Sequence, residues 1–214
     1  MNIRQRSAIA LIAGLVLTAS TACSPQAVDS PSTPSASATD TPTSGPEPTT
    51  EPTADPADPA TWIISDTGVG PIEIGGRLAE TLAELPATWR NDENCSWTAW
   101  WNAEDASYGV FFVRGIESED APIAEISVYT SSESPAAVPS PVTAEGLGIG
   151  ATKDEVLAAY PGAVEGPAAV GSGTWLRLPG ESEAHVFFEY REGIAGASDV
   201  VVTTRDQPAY EVCG

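Results

Sequence analysis

Few side chains in this 214-residue sequence have both the type and the spacing that chemistry needs. The one histidine, His185, precedes Val186-Phe187-Phe188 in an alternating run. For nucleophilic catalysis a histidine base needs a Ser or Cys in reach, and no recognised Ser or Cys motif accompanies it. It reads as a structural strand residue. Glu80 and Glu155 resemble a carboxylate pair, yet both fall in the first turn of an expected helix, where negative charge is favoured anyway. Asp92-Glu93 and Glu117-Ser118-Glu119-Asp120 are rich in oxygen ligands, but neither has the spacing of an EF-hand, and acidic turns are ordinarily solvated. With no Cys-x-x-Cys, a zinc set lacks ligands. The sequence therefore leads us to expect no catalytic residue, no metal and no cofactor.

The three cysteines carry more. Arg4 and Arg6 form a positive start, followed by the apolar run AIALIAGLVLTA at 8–19. Its 12 residues fall short of the ~20 that span a bilayer, so the run reads as a signal peptide. Ser20-Thr21-Ala22-Cys23 then resembles a bacterial lipobox, in which the Cys takes diacylglycerol and becomes the new N-terminus; Ser20 stands where Leu is usual. The expectation is a signal peptide over 1–22 and a lipidated Cys23 on the extracytoplasmic face of the cell membrane. The rival is ordinary cleavage that leaves Cys23 free or removes it. Cys95 and Cys213 remain, and an even pair in an oxidising compartment forms a disulfide.

Without Arg4 and Arg6 the chain has 7 basic and 30 acidic residues, a net charge near −23. That argues against nucleic acid as a partner and for contact with the membrane through the lipid alone. Residues 24–60 hold nine Pro, seven Thr, six Ser and six Asp/Glu, with no basic or aromatic residue. Such a segment cannot bury enough apolar surface to offset its ordering entropy. Residues 23–60 thus read as a lipidated Cys and a disordered tether spanning roughly 35 Å as a random coil. All six Trp and all five Tyr lie beyond it, in a folded part over 61–214.

That part repeats itself. Setting Ile74 on Ile149 pairs Gly75 with Gly150, Glu80 with Glu155, Leu82 with Leu157 and Pro86 with Pro161, all 75 apart. Val110-Phe111-Phe112 matches Val186-Phe187-Phe188, and Trp100 matches Trp175. The repeats are placed at 61–138 and 139–214. Each opens on a Gly-rich approach and continues in a helix. Thr152 with Glu155 makes a capping box for the second, with Val156, Leu157 and Tyr160 on its apolar face; Arg77 replaces the capping Thr in the first. The period then changes to two, giving strands over Cys95–Trp101, Tyr108–Arg114 and Ile123–Thr130, then Thr174–Leu178, Ala184–Arg191 and Asp199–Arg205. The expected class is α+β: two tandem repeats, each a short helix and a three- or four-stranded antiparallel meander, helices on one face of the sheet.

The stretch Gly148-Ile149-Gly150-Ala151-Thr152 through Tyr160-Pro161, in units of about 75 residues, resembles the tandem-repeat fold of the β-lactamase inhibitory proteins. Each half is similar to the envelope lipoproteins of the BamE/SmpA type. The resemblance covers 66–213 and implies a non-enzymatic protein that binds another protein across an aromatic, concave sheet face. Those inhibitors have their disulfides within each repeat, whereas Cys95 and Cys213 lie in different ones.

Alternation sorts the faces independently. Ala99 and Trp101 fall on one side of their strand, Trp100 on the other; Leu176 and Leu178 oppose Trp175 and Arg177. If helices cover the more apolar side, Trp100, Trp175, Phe111, Phe187, Tyr129 and Arg177 share the open face and form a partner-binding surface. The alternative is that a loop, the Trp62 segment or the other half covers these rings. The expected protein is a lipid-anchored binding or scaffold module for an envelope or secreted protein. The competing class is a small-ligand receptor or enzyme on the same face.

Changing Cys23 to Ala should release the protein from the membrane fraction or stall its processing. A Cys23→Ala protein that is processed and fractionates like wild type rules the anchor out.

Overall fold

The computed structural model describes residues 55–133, 135 and 138–213. Cys23, the signal segment and most of the tether lie outside the described residues. Three short strands come first, β1 (Ile63–Ser65), β2 (Gly68–Val69) and β3 (Ile72–Glu73), then helix α1 (Leu78–Glu84). A meander follows: β4 (Arg90–Asn91), β5 (Thr98–Asn102), β6 (Gly109–Arg114) and β7 (Ile123–Tyr129). Next come β8 (Val142–Thr143) and helix α2 (Lys153–Ala159). A second meander closes the chain: β9 (Val164–Pro167), β10 (Thr174–Arg177), β11 (His185–Tyr190) and β12 (Asp199–Thr203).

The two meanders join edge to edge. Their strands form one antiparallel sheet of eight in the order β4-β5-β6-β7-β12-β11-β10-β9. The seam is β7–β12, where Tyr129 faces Asp199, Ser127 faces Val201 and Glu125 faces Thr203. The small strands form a second sheet, β3-β2-β1-β8, in which β1 and β8 run parallel.

One core lies on one side of the large sheet. Val110 and Phe112 of β6, Ile126 and Val128 of β7, Val200 and Val202 of β12, and Val186 and Phe188 of β11 alternate into it. Ile64, Val69 and Ile72 of the small sheet meet them there, with Leu78 of α1 and Val156 of α2. Trp62 is wholly buried and stacks on Trp89 at 5.9 Å. Its indole N–H donates to the Asp55 carbonyl (2.7 Å), and Pro59 is buried, while 55–58, within the stretch read from composition as tether, are exposed. Gly70 must lack a side chain here: its φ is +55°, and a Cβ would lie 2.4 Å from the Trp62 ring.

The α+β expectation, with a helix layer covering the sheet, is corrected. Among the described residues the chain is mostly β, with twelve strands and two helices of seven residues each. Two turns bury little: α1 contributes Leu78 and α2 contributes Val156 as buried positions. Leu157, expected on the apolar face, is exposed. The first Gly-rich approach, read as a lead-in to a helix, supplies β2 and β3 of the small sheet, and β8 lies just before the second; the small sheet shares the covering role. Thr152 and Glu155 do form the capping box, whereas Arg77 makes no capping bond. Both helix approaches are pinned alike, Gly75 N–H donating to Ile123 O (2.8 Å) and Gly150 N–H to Ala197 O (2.9 Å).

After β12 the chain turns back over the outer side of the large sheet. Pro208 is buried, the Ala209 N–H donates to the Glu125 carboxylate (3.2 Å), and Trp97 Nε1 donates to Val212 O (2.6 Å). The tail ends in a disulfide between Cys213 and Cys95, with Cα atoms 5.6 Å apart and a separation of 118 residues.

A closed loop of that length contributes about 4–5 kcal/mol in the chain-entropy model. Urea unfolding of Cys95→Ala/Cys213→Ala should therefore show a loss of several kcal/mol. A loss under about 1 kcal/mol would mean that the disulfide constrains neither the unfolded chain nor the tail.

Candidate functional site

The outer face of the large sheet is arranged in rows set by strand register. One row runs Trp100, Phe111, Ser127, Val201, Phe187, Arg177 from β5 to β10. A second runs Tyr129, Asp199, Glu189, Trp175, Gly166 from β7 to β9. A third runs Val113, Glu125, Thr203, His185 from β6 to β11. All six residues expected on an open aromatic face lie opposite the core, in the first two rows. Their surroundings differ. Trp100, Phe111, Tyr129, Trp175 and Arg177 are half-buried, and Phe187 is 0% exposed. Trp175 lies edge-on to Phe187 at 5.3 Å, and Phe111 packs against Tyr129 at 5.7 Å. Trp175 also lies over Gly166, where a Cβ would come within 2.1 Å of the indole. Phe187 thus offers no surface of its own and supports Trp175.

The register corrects one detail. Trp100 faces Phe111, but the residue facing Phe187 is Arg177; Trp175 faces Glu189. If Phe111 and Phe187 correspond, Trp100 corresponds to Arg177, not to Trp175. A shift of two residues keeps the face and changes the row.

Three acidic residues were not singled out as site residues from the sequence. Glu125, Glu189 and Asp199 project from β7, β11 and β12 onto the same face, beside Ser127. Together they line the floor of a cleft of about 550 Å³. The 168–173 loop forms one wall and the tail from Pro208 to Val212 the other. Asp199 has Arg191 at 3.6 Å, whose guanidinium also donates to Thr130 O (2.9 Å). Glu125 accepts from Ala209 N–H. Among the described residues no donor reaches the Glu189 carboxylate.

The electrostatics follow from that arrangement. Burial pushes Glu189 up to about 7, with the nearby Asp199 and Glu125 charges adding to the rise and Arg191 opposing it. Burial also raises Asp199, against Ser198 and Arg191, and raises Glu125, against the Ala209 N–H, Thr203 and Arg205. A signal for these residues was present. Acidic side chains are depleted in strands, and all three share the parity of the aromatic residues placed outward.

The other candidates are accounted for locally. His185 lies edge-on to Phe187 (6.4 Å) and lines a smaller cleft of about 260 Å³ with Asp66, Glu145 and Tyr160. Among the described residues its ring makes no hydrogen bond; the Ser65 hydroxyl in that cleft bonds Thr67 instead. Glu80 pairs with Arg77 (3.1 Å), and Glu155 belongs to the capping box. The Glu117–Asp120 turn is tied down: Asp120 pairs with Arg77, and the Arg114 guanidinium donates to the Gly115 and Ser118 carbonyls (2.7 and 2.6 Å). Asp92 accepts from Asn94 N–H in its own turn. Among the described residues no group of three or more His, Cys, Asp or Glu side chains is placed to hold a metal ion. No helix of the described residues is long and apolar enough to cross a membrane. No family model, curated protein or solved structure matches the chain.

A carboxyl raised in the folded state binds its proton more tightly there than when unfolded. Stability is then greatest at low pH and falls as pH rises from about 4.5 toward 7. For Glu189 alone the span is at most about 3 kcal/mol. Denaturation of Glu189→Gln should show greater stability than wild type at pH 8 and a flatter profile between pH 4.5 and 7. Equal stability at pH 8 would contradict this placement of the carboxylate.

Proposed function

We propose that this chain is a membrane-anchored extracytoplasmic lipoprotein that acts, without catalysis, as a protein-binding or scaffold module of the cell envelope. Its partner, an envelope or secreted protein, is captured on the outer face of the large sheet. The observation that carries the reading is the concentration of half-covered rings on that face. Trp100, Phe111, Tyr129 and Trp175 all lie there, Trp175 edge-on to buried Phe187 and Phe111 packed against Tyr129. Large aromatic residues held half in water are the side chains that dominate protein interfaces. Arg177 joins them with no ion pair among the described residues, so its guanidinium is available to a carboxylate of the partner. The Ser20–Cys23 lipobox supports the anchor, and the acidic tether supports a domain held away from the membrane. The similarity to tandem-repeat inhibitors and BamE/SmpA-type lipoproteins points to the same mode of binding.

The cleft favours a second reading, an extracytoplasmic small-ligand receptor or enzyme. Its floor brings Ser127, Glu125, Glu189 and Asp199 together between the 168–173 loop and the C-terminal tail, a concave arrangement of polar groups between walls as in ligand sites.

Capture from native membranes should separate the Trp surface from the fold. The Trp100→Ala/Trp175→Ala chain should lose capture of the partner, and Trp100→Ala alone should weaken it about tenfold or more at a stability cost no greater than about 2 kcal/mol. Wild-type capture by a correctly folded double variant would end the protein-binding reading.

A further inference from the structure

We infer that the cleft over the β7–β12 seam is a recognition site for an ammonium or guanidinium group carried on an aliphatic chain. The inference rests on the reading of the outer sheet face as a binding surface and adds the chemistry of what enters it.

Four observations converge. First, the floor holds three carboxylates, with Glu189 and Asp199 paired directly across β11–β12 and Glu125 two rows along on β7. Second, the protein's own cations do not neutralise them all. Arg191 is shared between Asp199 and the Thr130 carbonyl, and Arg205 acts on Glu125. Glu189 is left with no donor among the described residues. Third, Ser127 is 1% exposed, lines the cleft, and its hydroxyl makes no hydrogen bond among the described residues. A polar group so buried ordinarily has a partner, and this one is directed to where a ligand would lie. Fourth, the walls are apolar, with Phe111, Val170, Pro208 and Tyr210 around the charged floor. An aliphatic chain suits those walls and a cationic head suits the floor.

The alternatives fit less well. The described carboxylates are not grouped to coordinate a metal ion. An anionic ligand would meet three like charges inside a chain of strongly negative net charge, which itself concentrates cations near the mouth. A cationic head beside Glu189 would gain a charge-assisted hydrogen bond and relieve the repulsion among the three carboxylates. Besides burial, the groups that set its ionisation are Asp199 from β12, Glu125 from β7 and Arg191 after β11. Glu192 stands at the rim, bonded to Ser172 (2.7 Å). Because Glu189 is pushed up to about 7, binding strengthens as the pH rises through neutrality.

Titration calorimetry on the full-length, oxidised chain in detergent tests this with n-pentylammonium, an acetylated and amidated Gly-Arg-Gly peptide, and n-pentanol as the uncharged control. At pH 8 at least one cation should bind saturably and pentanol should not. At pH 5.5 affinity should fall about thirtyfold if only ionised Glu189 binds. Glu189→Gln should weaken binding at pH 8 by about tenfold or more and abolish most of the pH dependence. Binding of the peptide alone would assign the cation to a basic side chain of a protein partner; binding of both would show that a free amine suffices. Absence of saturable cation binding at pH 8, pentanol binding as tightly as pentylammonium, or pH-independent affinity would each overturn the inference. The wild-type pH series decides even if Glu189→Gln does not fold, and Ser127→Ala, which removes only a hydroxyl, should bind measurably more weakly. Capture of the protein partner that survives in Glu189→Gln, with no cation bound by wild type, would defeat this inference and leave the protein-binding reading intact.

Discussion

The pairing of β7 with β12 is the interaction on which the rest of the molecule depends. Each meander alone is a four-stranded sheet with an open edge, and such an edge invites pairing with another chain. Five residue pairs, from Asp199↔Tyr129 to Thr203↔Glu125, close those edges against each other. On the inner side this brings Ile126 and Val128 beside Val202 and Val200, so a single core forms. On the outer side the same register brings carboxylates of different strands together: Asp199 and Glu189 are direct neighbours, and Glu125 is close enough to act on Glu189. Core and cleft are two faces of one seam. A slip of one residue would exchange them.

Like charges at the centre of a sheet are costly, and the fold reduces that cost without removing it. Arg191 serves Asp199, and the tail supplies the Ala209 N–H and the Arg205 charge to Glu125. Nothing comparable serves Glu189, so burial and its neighbours hold its carboxyl near neutrality. Groups that leave a fold less stable than it would otherwise be, and that line a cleft, are concentrated at functional sites. This is why the cleft, rather than the exposed rings alone, defines the chemistry of the outer face.

Period-two alternation made the six longer strands and their inward and outward parity legible, because one side of each meets the core and the other does not. The capping box at Thr152 and Glu155 was equally plain, being purely local. The short strands were not. Gly68–Val69, Ile72–Glu73 and Val142–Thr143 are two residues each, too brief for any period to register, and they owe their pairing to the core beneath them. Their absence from the reading is what made two-turn helices look like a full covering layer. Row assignments failed for a related reason. Face follows from parity within one strand, whereas row follows from register between strands, and that is set by turn geometry. Hence parity puts Trp100 and Trp175 on the same face, whereas register sets Trp100 beside Phe111 and Trp175 beside Glu189. Glu125, Glu189 and Asp199 had the outward parity, but acidic residues in a strongly acidic chain drew no notice.

The tail gives the outer face its asymmetry. The first meander has its outer side crossed by residues from Pro208 to Cys213, fastened by Trp97, Glu125 and the disulfide to Cys95. Within the second, Trp175 rests on Gly166 and Phe187 at the far side of the sheet. A covering placed over one half only turns a broad sheet face into a cleft with one wall made by the chain's own C-terminus. Because Cys95 stands in the turn before β5 and Cys213 at the end of the tail, the covalent link does more than shorten the unfolded chain. It holds the wall against the floor, so the spacing between Tyr210 and Phe111 across the cleft depends on that bond.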